Sequence, residues 1–230
     1  MYIYPGESAW NALIEAATNH PSTHFDVVVN PHNGPGGAVP DTNYIRQIAQ
    51  LNTLRNVKIF GYVHTLWGDR DVSLVKTDID TYEKWSRYAD ADIHVSGIFL
   101  DEAPSAPDLV GHMREIYDHA RASLSRGSTV WTNPGVAVNA AYFRAADLIN
   151  VFENTHEQWD GHVPASDDLL RGKSTVMIHT YRGGSVQLKR DTAGLIAKGY
   201  HGGMITTKAG YEAFSDSWLE FVKEIQTRCQ

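Results

Sequence analysis

The sequence predicts an α/β fold, a single (β/α)8 barrel of the TIM type that spans residues 1–230. Short β-rich runs alternate with helical patterns eight times along the chain, as in a closed parallel barrel. Runs such as Phe25–Val29 are continuously apolar, which is typical of parallel strands buried on both faces. The length of 230 residues is close to the about 250 residues of such barrels. An open doubly wound sheet is the alternative.

Eight strands are predicted from runs of β-branched, aromatic and other apolar residues bounded by polar or glycine-containing segments. In chain order they are Tyr2–Tyr4, Phe25–Val29, Val57–His64, Val95–Leu100, Thr129–Thr132, Leu148–Phe152, Thr175–His179 and Met204–Thr206.

The helices are predicted from apolar residues that recur at helical spacing and from capping residues. In the fourth unit, Ser105 opens the helix, Pro107 lies at an early helical position, and an apolar stripe runs from Leu109 to Leu124. Gly199 ends the seventh helix. The other helices are predicted near Ser8–Thr18, Asp41–Leu54, Asp78–Tyr88, Asn139–Arg144 and Val186–Lys198, and the last carries Phe214, Trp218, Phe221, Val222 and Ile225.

The composition restricts the partners that we expect. The net charge of −7 and the pI of about 5.8 argue against a nucleic-acid partner, which needs a basic surface. An acidic surface suits a neutral or cationic substrate better than a polyanion. No apolar run approaches the about 20 residues of a membrane-spanning helix, so we expect no membrane insertion. We expect a monomer without cofactors.

The sequence does not decide the cellular compartment of the protein. Cys229 is the single cysteine, so an intramolecular disulfide and a cysteine metal site are excluded, and a reducing compartment is mildly favoured. The first residues have no basic segment followed by a long apolar one. The protein therefore either stays inside the cell or is a mature domain cut from a longer precursor.

The candidate site follows from the fold, because barrel active sites lie at the carboxyl ends of the strands. Three carboxylates, Asp101, Glu102 and Glu153, are the catalytic candidates. The predicted substrate-binding residues are the other polar and aromatic residues near strand ends: Tyr4, Asn30, His32, His64, Trp67, Asn133, His179 and Tyr181.

The carboxylates indicate glycoside hydrolysis, which needs one carboxyl group on each side of the scissile bond. Packing carboxylates together favours one protonated and one ionised group, as the reaction requires. Because neighbouring strand residues point to opposite faces, only one of Asp101 and Glu102 can point into the barrel mouth unless the backbone turns there. Glu153 then supplies the opposite side. The alternative for Asp101 and Glu102 is that one of them caps the next helix or pairs with a surface arginine, and the alternative for Glu153 is that it only orients its neighbours.

The other residue types favour a sugar site over the competing chemistries. Six tryptophans and eleven tyrosines supply rings on which sugars stack, although several of them, such as Trp131, could fill the core instead. Histidines at three strand ends, His32, His64 and His179, leave a metal-dependent hydrolase as a weaker alternative, and we expect no metal. No nucleophile elbow or P-loop is present, and Lys208 as a Schiff-base lysine ranks low.

The sequence resembles a known family in three segments. They are the run Leu100–Pro104, the Asn30–Pro31 turn and Val151–Glu153, and together with the length and order of elements they look like the spherulin-4-like proteins, glycoside hydrolase family 135. The resemblance implies a (β/α)8 barrel and a secreted or cell-surface microbial enzyme. It also implies endo-cleavage of α-1,4-linked N-acetylgalactosamine and galactosamine in the biofilm exopolysaccharide galactosaminogalactan, with Asp101, Glu102 and Glu153 as the acidic cluster.

The implied substrate restricts the mechanism. In an α-linked 2-acetamido sugar the acetamide and the leaving group lie on the same face, so the acetamide cannot attack from behind. We therefore favour retention, with Asp101 as nucleophile, Glu153 as acid/base and Glu102 tuning either; Glu102 and Glu153 could exchange roles. A non-catalytic carbohydrate-binding barrel is the competing hypothesis, in which the aromatic residues matter and the acids do not.

Overall fold

The computed structural model describes residues 3–161 and 168–228. Within these ranges, seven strands form one parallel sheet in which each strand pairs with the next along the chain, and the sheet curls into a half-barrel with the helices interleaved. The predicted α/β barrel is thereby confirmed. The strands are β1 (Phe25–Val29), β2 (Val57–His64), β3 (Gly97–Asp101), β4 (Thr129–Thr132), β5 (Leu148–Thr155), β6 (Ser174–His179) and β7 (Gly202–Ile205).

The helices connect these strands on the outer face. They are α1 (Asn11–Asn19), α2 (Thr42–Asn52), α3 (Val72–Trp85), α4 (Val110–Ser123), α5 (Ala140–Ala145), α6 (Asp168–Arg171), α7 (Gly184–Ala197) and α8 (Trp218–Arg228). Three of them begin after a side-chain cap, because Asp41, Asp71 and Asn139 accept hydrogen bonds from backbone N–H groups of the first turn. In the described ranges, no helix has both the length and the apolar character that crossing a membrane demands.

Some ends of strands and helices were predicted correctly from the sequence, and others were predicted wrongly. The bounds predicted for β1, β2 and β4 are confirmed at both ends. The start of α3 was wrong: the helix begins at Val72 rather than near Asp78, because Asp71 caps it. A strand was expected at Tyr2–Tyr4, but Ile3 and Tyr4 lie in no strand, and Tyr2, like Cys229, lies outside the described residues.

The inner face of the sheet is filled by large side chains. Tyr62, Phe99, Trp131 and Leu148 are register partners on four successive strands, so they lie at one level of the barrel interior. The Phe99 and Trp131 rings meet edge to face with centroids 4.8 Å apart. Trp131 is therefore barrel filling. The outer face carries the larger core, where strands pack against the helices.

A bulge in β5 decides which of its side chains enter the barrel. Asn150 pairs with Thr175 on β6, but the next pair is Phe152 with Val176, so Val151 is an extra residue. Beyond the bulge, Glu153 becomes the partner of Met177, which packs against the interior cluster. Phe152 instead packs outside against Trp159, with ring centroids 5.0 Å apart. Regular alternation would have sent Phe152 inward and Glu153 outward.

Candidate active site

The carboxyl ends of β3, β4 and β5 bring together three of the predicted site residues. Asn133, directly after β4, donates from Nδ2 to Oδ1 of Asp101 over 2.7 Å and to Oε2 of Glu153 over 2.5 Å. Both carboxylate oxygens accept from the same nitrogen, so the distance between these two oxygens cannot exceed the sum of the two hydrogen-bond lengths. That limit, which applies to these two oxygens, lies below the about 6.5–9.5 Å that separates the carboxyl groups of inverting enzymes, so it favours the closer spacing of a retaining pair.

Asn133 is held from both its backbone and its side chain. Its N–H donates to the Leu100 carbonyl over 2.7 Å, and its carbonyl accepts from the Ala103 N–H over 3.0 Å, so the strand that carries Asp101 also fixes Asn133. The side-chain oxygen accepts from Nδ2 of Asn150 over 2.8 Å. With only 6% of its surface exposed, Asn133 is a rigid bridge between the two acids.

Tyr211 completes the surroundings of Glu153. It lies in the loop after β7, and its hydroxyl donates to Oε1 of Glu153 over 2.7 Å, so both oxygens of that carboxylate have a partner. The sequence analysis missed Tyr211 and Asn150. Asn150 had a signal, because it is the polar residue in the otherwise apolar run Leu148–Phe152. Nothing in the sequence distinguishes Tyr211 from the other tyrosines.

Glu102 lies where the chain turns after β3. Its φ is +51°, a left-handed conformation that costs a non-glycine residue about 1–2 kcal/mol. Its carbonyl accepts from the Trp67 N–H over 2.6 Å and from the Thr65 hydroxyl over 2.8 Å. The backbone therefore does turn between the two adjacent acids, which is the exception that the alternation argument left open. Oε2 of Glu102 is buried and has no hydrogen-bond partner in the described part of the chain.

Trp67 stands at the rim beside Glu102. It belongs to a short 3-10 turn, Leu66–Gly68, in which Leu66 and Trp67 both have positive φ angles, of 48° and 53°. The side chain of Trp67 is 62% exposed. Residues with strained backbone cluster at functional sites, where the surrounding structure holds them in place.

Two predicted histidines lie at the same edge of the sheet. His64 ends β2 as the register neighbour of Asp101, and its Nδ1 is 3.0 Å from the Asn33 carbonyl oxygen. His179 ends β6, and its Nδ1 is 3.0 Å from the Thr180 hydroxyl. Among residues 3–161 and 168–228, no three His, Cys, Asp or Glu side chains are grouped so that they could hold a metal ion.

In the described part of the chain, the other four predicted binding residues form hydrogen bonds with groups other than the three carboxylates. Tyr181 is buried and donates to Asp191 on α7 over 2.6 Å, and burial, then the contact with Asp191, raises its pKa. Asn30 is also buried, and its side-chain oxygen accepts from the Gly34 N–H within its own loop. Tyr4 is exposed and bound to Asn43, and the backbone N–H of the exposed His32 donates to the Gly34 carbonyl.

Comparisons with known proteins agree with this geometry. Residues 1–225 match the spherulation-specific family 4. Spherulin-4 of Physarum polycephalum is 29% identical over 195 residues, which are 81% of this chain, and the chain spans 55% of the length of that relative. The crystal structure of Aspergillus clavatus Sph3 in complex with GalNAc is 32% identical and superposes with a TM-score of 0.90, covering 98% of this chain and 95% of that one.

Two chitinase structures share the fold alone. The enzyme from Rhizomucor miehei is 11% identical with a TM-score of 0.55, covering 97% of this chain and 96% of that one. The enzyme from Bacteroides thetaiotaomicron is 10% identical with a TM-score of 0.60, covering 97% and 93%. The family match and the likeness to Sph3 decide the assignment. The chain belongs to spherulation-specific family 4 and is a spherulin-4-like protein of glycoside hydrolase family 135.

Proposed function

We propose that the protein is an endo-acting glycosidase that cleaves α-1,4-linked N-acetylgalactosamine or galactosamine chains of a microbial exopolysaccharide with retention. The single observation that carries the proposal is the bridge from Asn133 to Asp101 and Glu153, which holds an oxygen of each carboxylate on one nitrogen and so supports a closely spaced, retaining pair. The sugar is supported by the GalNAc in the complex of Sph3. Such a polymer lies outside the cell, so the proposal includes action at the cell surface or beyond it.

The hydrogen-bond partners support different roles for the two acids. Oδ1 of Asp101 accepts from an amide NH2, which only donates, so this oxygen is kept as an acceptor and suits the nucleophile. Oε1 of Glu153 faces a tyrosine hydroxyl, which can donate or accept, so this group can exist with or without a proton. Glu153 therefore suits the acid/base, while Oε2 accepts from Asn133 in both states.

The reaction then runs in two balanced steps. Asp101 attacks the anomeric carbon while the bond to the leaving oxygen breaks, and Glu153 transfers its proton to that oxygen. In the second step Glu153 removes a proton from water, the water oxygen bonds to the anomeric carbon, and Asp101 leaves as a carboxylate. Glu102 lies next to the nucleophile and contributes to the acidic surroundings of the site. Trp67 supplies a face on which a sugar ring stacks.

Release of reducing ends from galactosaminogalactan tests the proposal. Asp101→Asn and Glu153→Gln should each lower the rate by about 10³-fold or more, because each removes a group that acts in the transition state. Glu115→Gln is the matched control, since Glu115 is an exposed acid on α4 that pairs with Lys76. Polymer binding without cleavage by the unaltered protein would support the carbohydrate-binding barrel instead, and loss of activity with a chelator would support a metal-dependent hydrolase.

A further inference from the structure

Below the carboxylates, a chain of buried polar groups runs from the barrel interior to the site. The Trp131 indole N–H donates to the Thr175 hydroxyl over 3.1 Å, and that hydroxyl donates to Oδ1 of Asn150 over 3.2 Å. Asn150 donates in turn to Oδ1 of Asn133 over 2.8 Å. Each of the four residues is at most 6% exposed, and Asn150 is fully buried. Water therefore does not set the orientation of these groups.

We infer that Trp131, Thr175 and Asn150 are positioning residues that fix the orientation of the Asn133 amide, so that its NH2 group faces both Asp101 and Glu153. An indole N–H is a donor only, so it makes the Thr175 oxygen an acceptor and directs the hydroxyl proton elsewhere. That proton meets the oxygen of Asn150, which directs the Asn150 NH2 to the oxygen of Asn133.

The reversed arrangement of the two amides is the competing one. The Asn150 oxygen lies 2.9 Å from the Thr175 carbonyl oxygen and 3.3 Å from that of Phe152, so a turned Asn150 would donate to both, and also to the Thr175 hydroxyl oxygen over 3.2 Å. Asn133 would then have to turn as well, and its carbonyl oxygen would face both carboxylates at 2.7 Å and 2.5 Å. An acceptor placed against ionised carboxylates opposes the turned arrangement, whereas the two close carbonyl contacts of the Asn150 oxygen favour it. The Thr175 hydroxyl proton, which the Trp131 N–H leaves to the Asn150 oxygen, adds to the charges and holds the described orientation.

Replacing the Thr175 hydroxyl tests the inference. This first test depends on the proposed function, because it measures hydrolysis. Thr175→Val removes the link and leaves Asn150 free to turn, so kcat should fall roughly tenfold or more while KM stays within about twofold. Thr175→Ser keeps the hydroxyl and should retain kcat. Trp131→Phe keeps a ring in the interior without the N–H, and should lower kcat as Thr175→Val does.

Thr192→Val is the matched control for loss of a buried hydroxyl. Thr192 is 1% exposed on α7, and its hydroxyl has no hydrogen-bond partner among the described residues. This variant should keep kcat. Unchanged kcat in Thr175→Val, or equal losses in Thr175→Ser and Thr175→Val, would overturn the inference.

A second readout does not require activity. In nitrogen–proton correlation spectra, the Asn133 side-chain NH2 signals, assigned by their loss in Asn133→Asp, should shift as Asp101 and Glu153 titrate, because those protons bind the carboxylates. The same signals should lose this response in Thr175→Val and keep it in Thr192→Val. If the Asn133 side-chain signals of the unaltered protein did not change with pH, the inferred orientation of the Asn133 amide would be refuted, even if the protein cleaved no polysaccharide.

Discussion

At the scale of single residues, the site depends on one neutral amide placed between two acids. The positions of Asp101, Asn133 and Glu153 at the carboxyl ends of strands were predictable, because barrel strands present their last residues at one face. Asp101 ends β3, Asn133 follows β4, and Glu153 lies in the last half of β5, which runs past the predicted end at Phe152 to Thr155. Their contacts were not predictable, since side-chain hydrogen bonds depend on the register of strands that are far apart in sequence. Tyr211 shows the limit most clearly, because it reaches Glu153 from a loop 58 residues away.

Tyr211→Phe should impair proton transfer by Glu153 without affecting the fold. The variant removes the hydroxyl that contacts Oε1 of Glu153, so kcat should fall about tenfold and the limb of the pH–rate profile set by the acid/base should move. Tyr88→Phe, on a partly buried tyrosine after α3, is the control. A profile that matches the unaltered enzyme would remove Tyr211 from the catalytic machinery.

At the scale of elements, the bulge in β5 is the feature that the sequence did not reveal. The run Leu148–Phe152 reads as a regular strand, and regular alternation sends Glu153 to the outer face. Val151 shifts the register, so Glu153 enters the barrel while Phe152 joins the outer core. Glu153 was predicted from its position at a strand end, and it faces the barrel interior only because of this extra residue.

Deleting Val151 should therefore abolish hydrolysis by turning Glu153 away from Asp101. The loss should equal that of Glu153→Gln, about 10³-fold or more. Removing a buried valine also destabilises the barrel, so circular dichroism must first show that the deleted protein folds. A folded deletion variant with substantial activity would contradict the role of the bulge.

The 3-10 turn after β2 gives a prediction about binding. Trp67→Ala should raise KM for the polymer about tenfold, or 1.4 kcal/mol, with a smaller change in kcat, because the exposed indole stacks on sugar but takes no part in proton transfer. Trp67→Tyr should recover most of the affinity. Leu219→Ala, which truncates an exposed apolar residue on α8, is the control. An unchanged KM in Trp67→Ala would exclude the stacking role.

At the scale of the whole molecule, alternation of strands and helices was enough to predict the barrel. Apolar strands such as β1 and β2 and helix caps such as Asp41 carry their information locally, so their positions were predictable. The loops at the carboxyl ends were not, because strained turns such as Leu66–Gly68 are set by contacts with neighbouring strands.

Buried tyrosines make the whole fold sensitive to alkali. Burial, then Asp41 and Tyr4, raises the pKa of Tyr44 from 10.0 to about 12. Above pH 10 the folded state keeps a proton that the unfolded state loses. The contribution of Tyr44 to the free energy of unfolding is therefore complete below about pH 10 and is lost as the pH rises toward 12. Tyr44→Phe should make the fall less steep, by at most about 1.4 kcal/mol per pH unit. Urea unfolding across this range checks it, and an unchanged slope would contradict it.

The central claim is that Asp101 and Glu153, bridged by Asn133, form a retaining pair. It is tested most directly by proton nuclear magnetic resonance of the first sugar released from the α-linked polymer, recorded before the anomers equilibrate. Retention predicts that the α-anomer appears first and the β-anomer grows in later by mutarotation. The β-anomer appearing first would show inversion and contradict the claim.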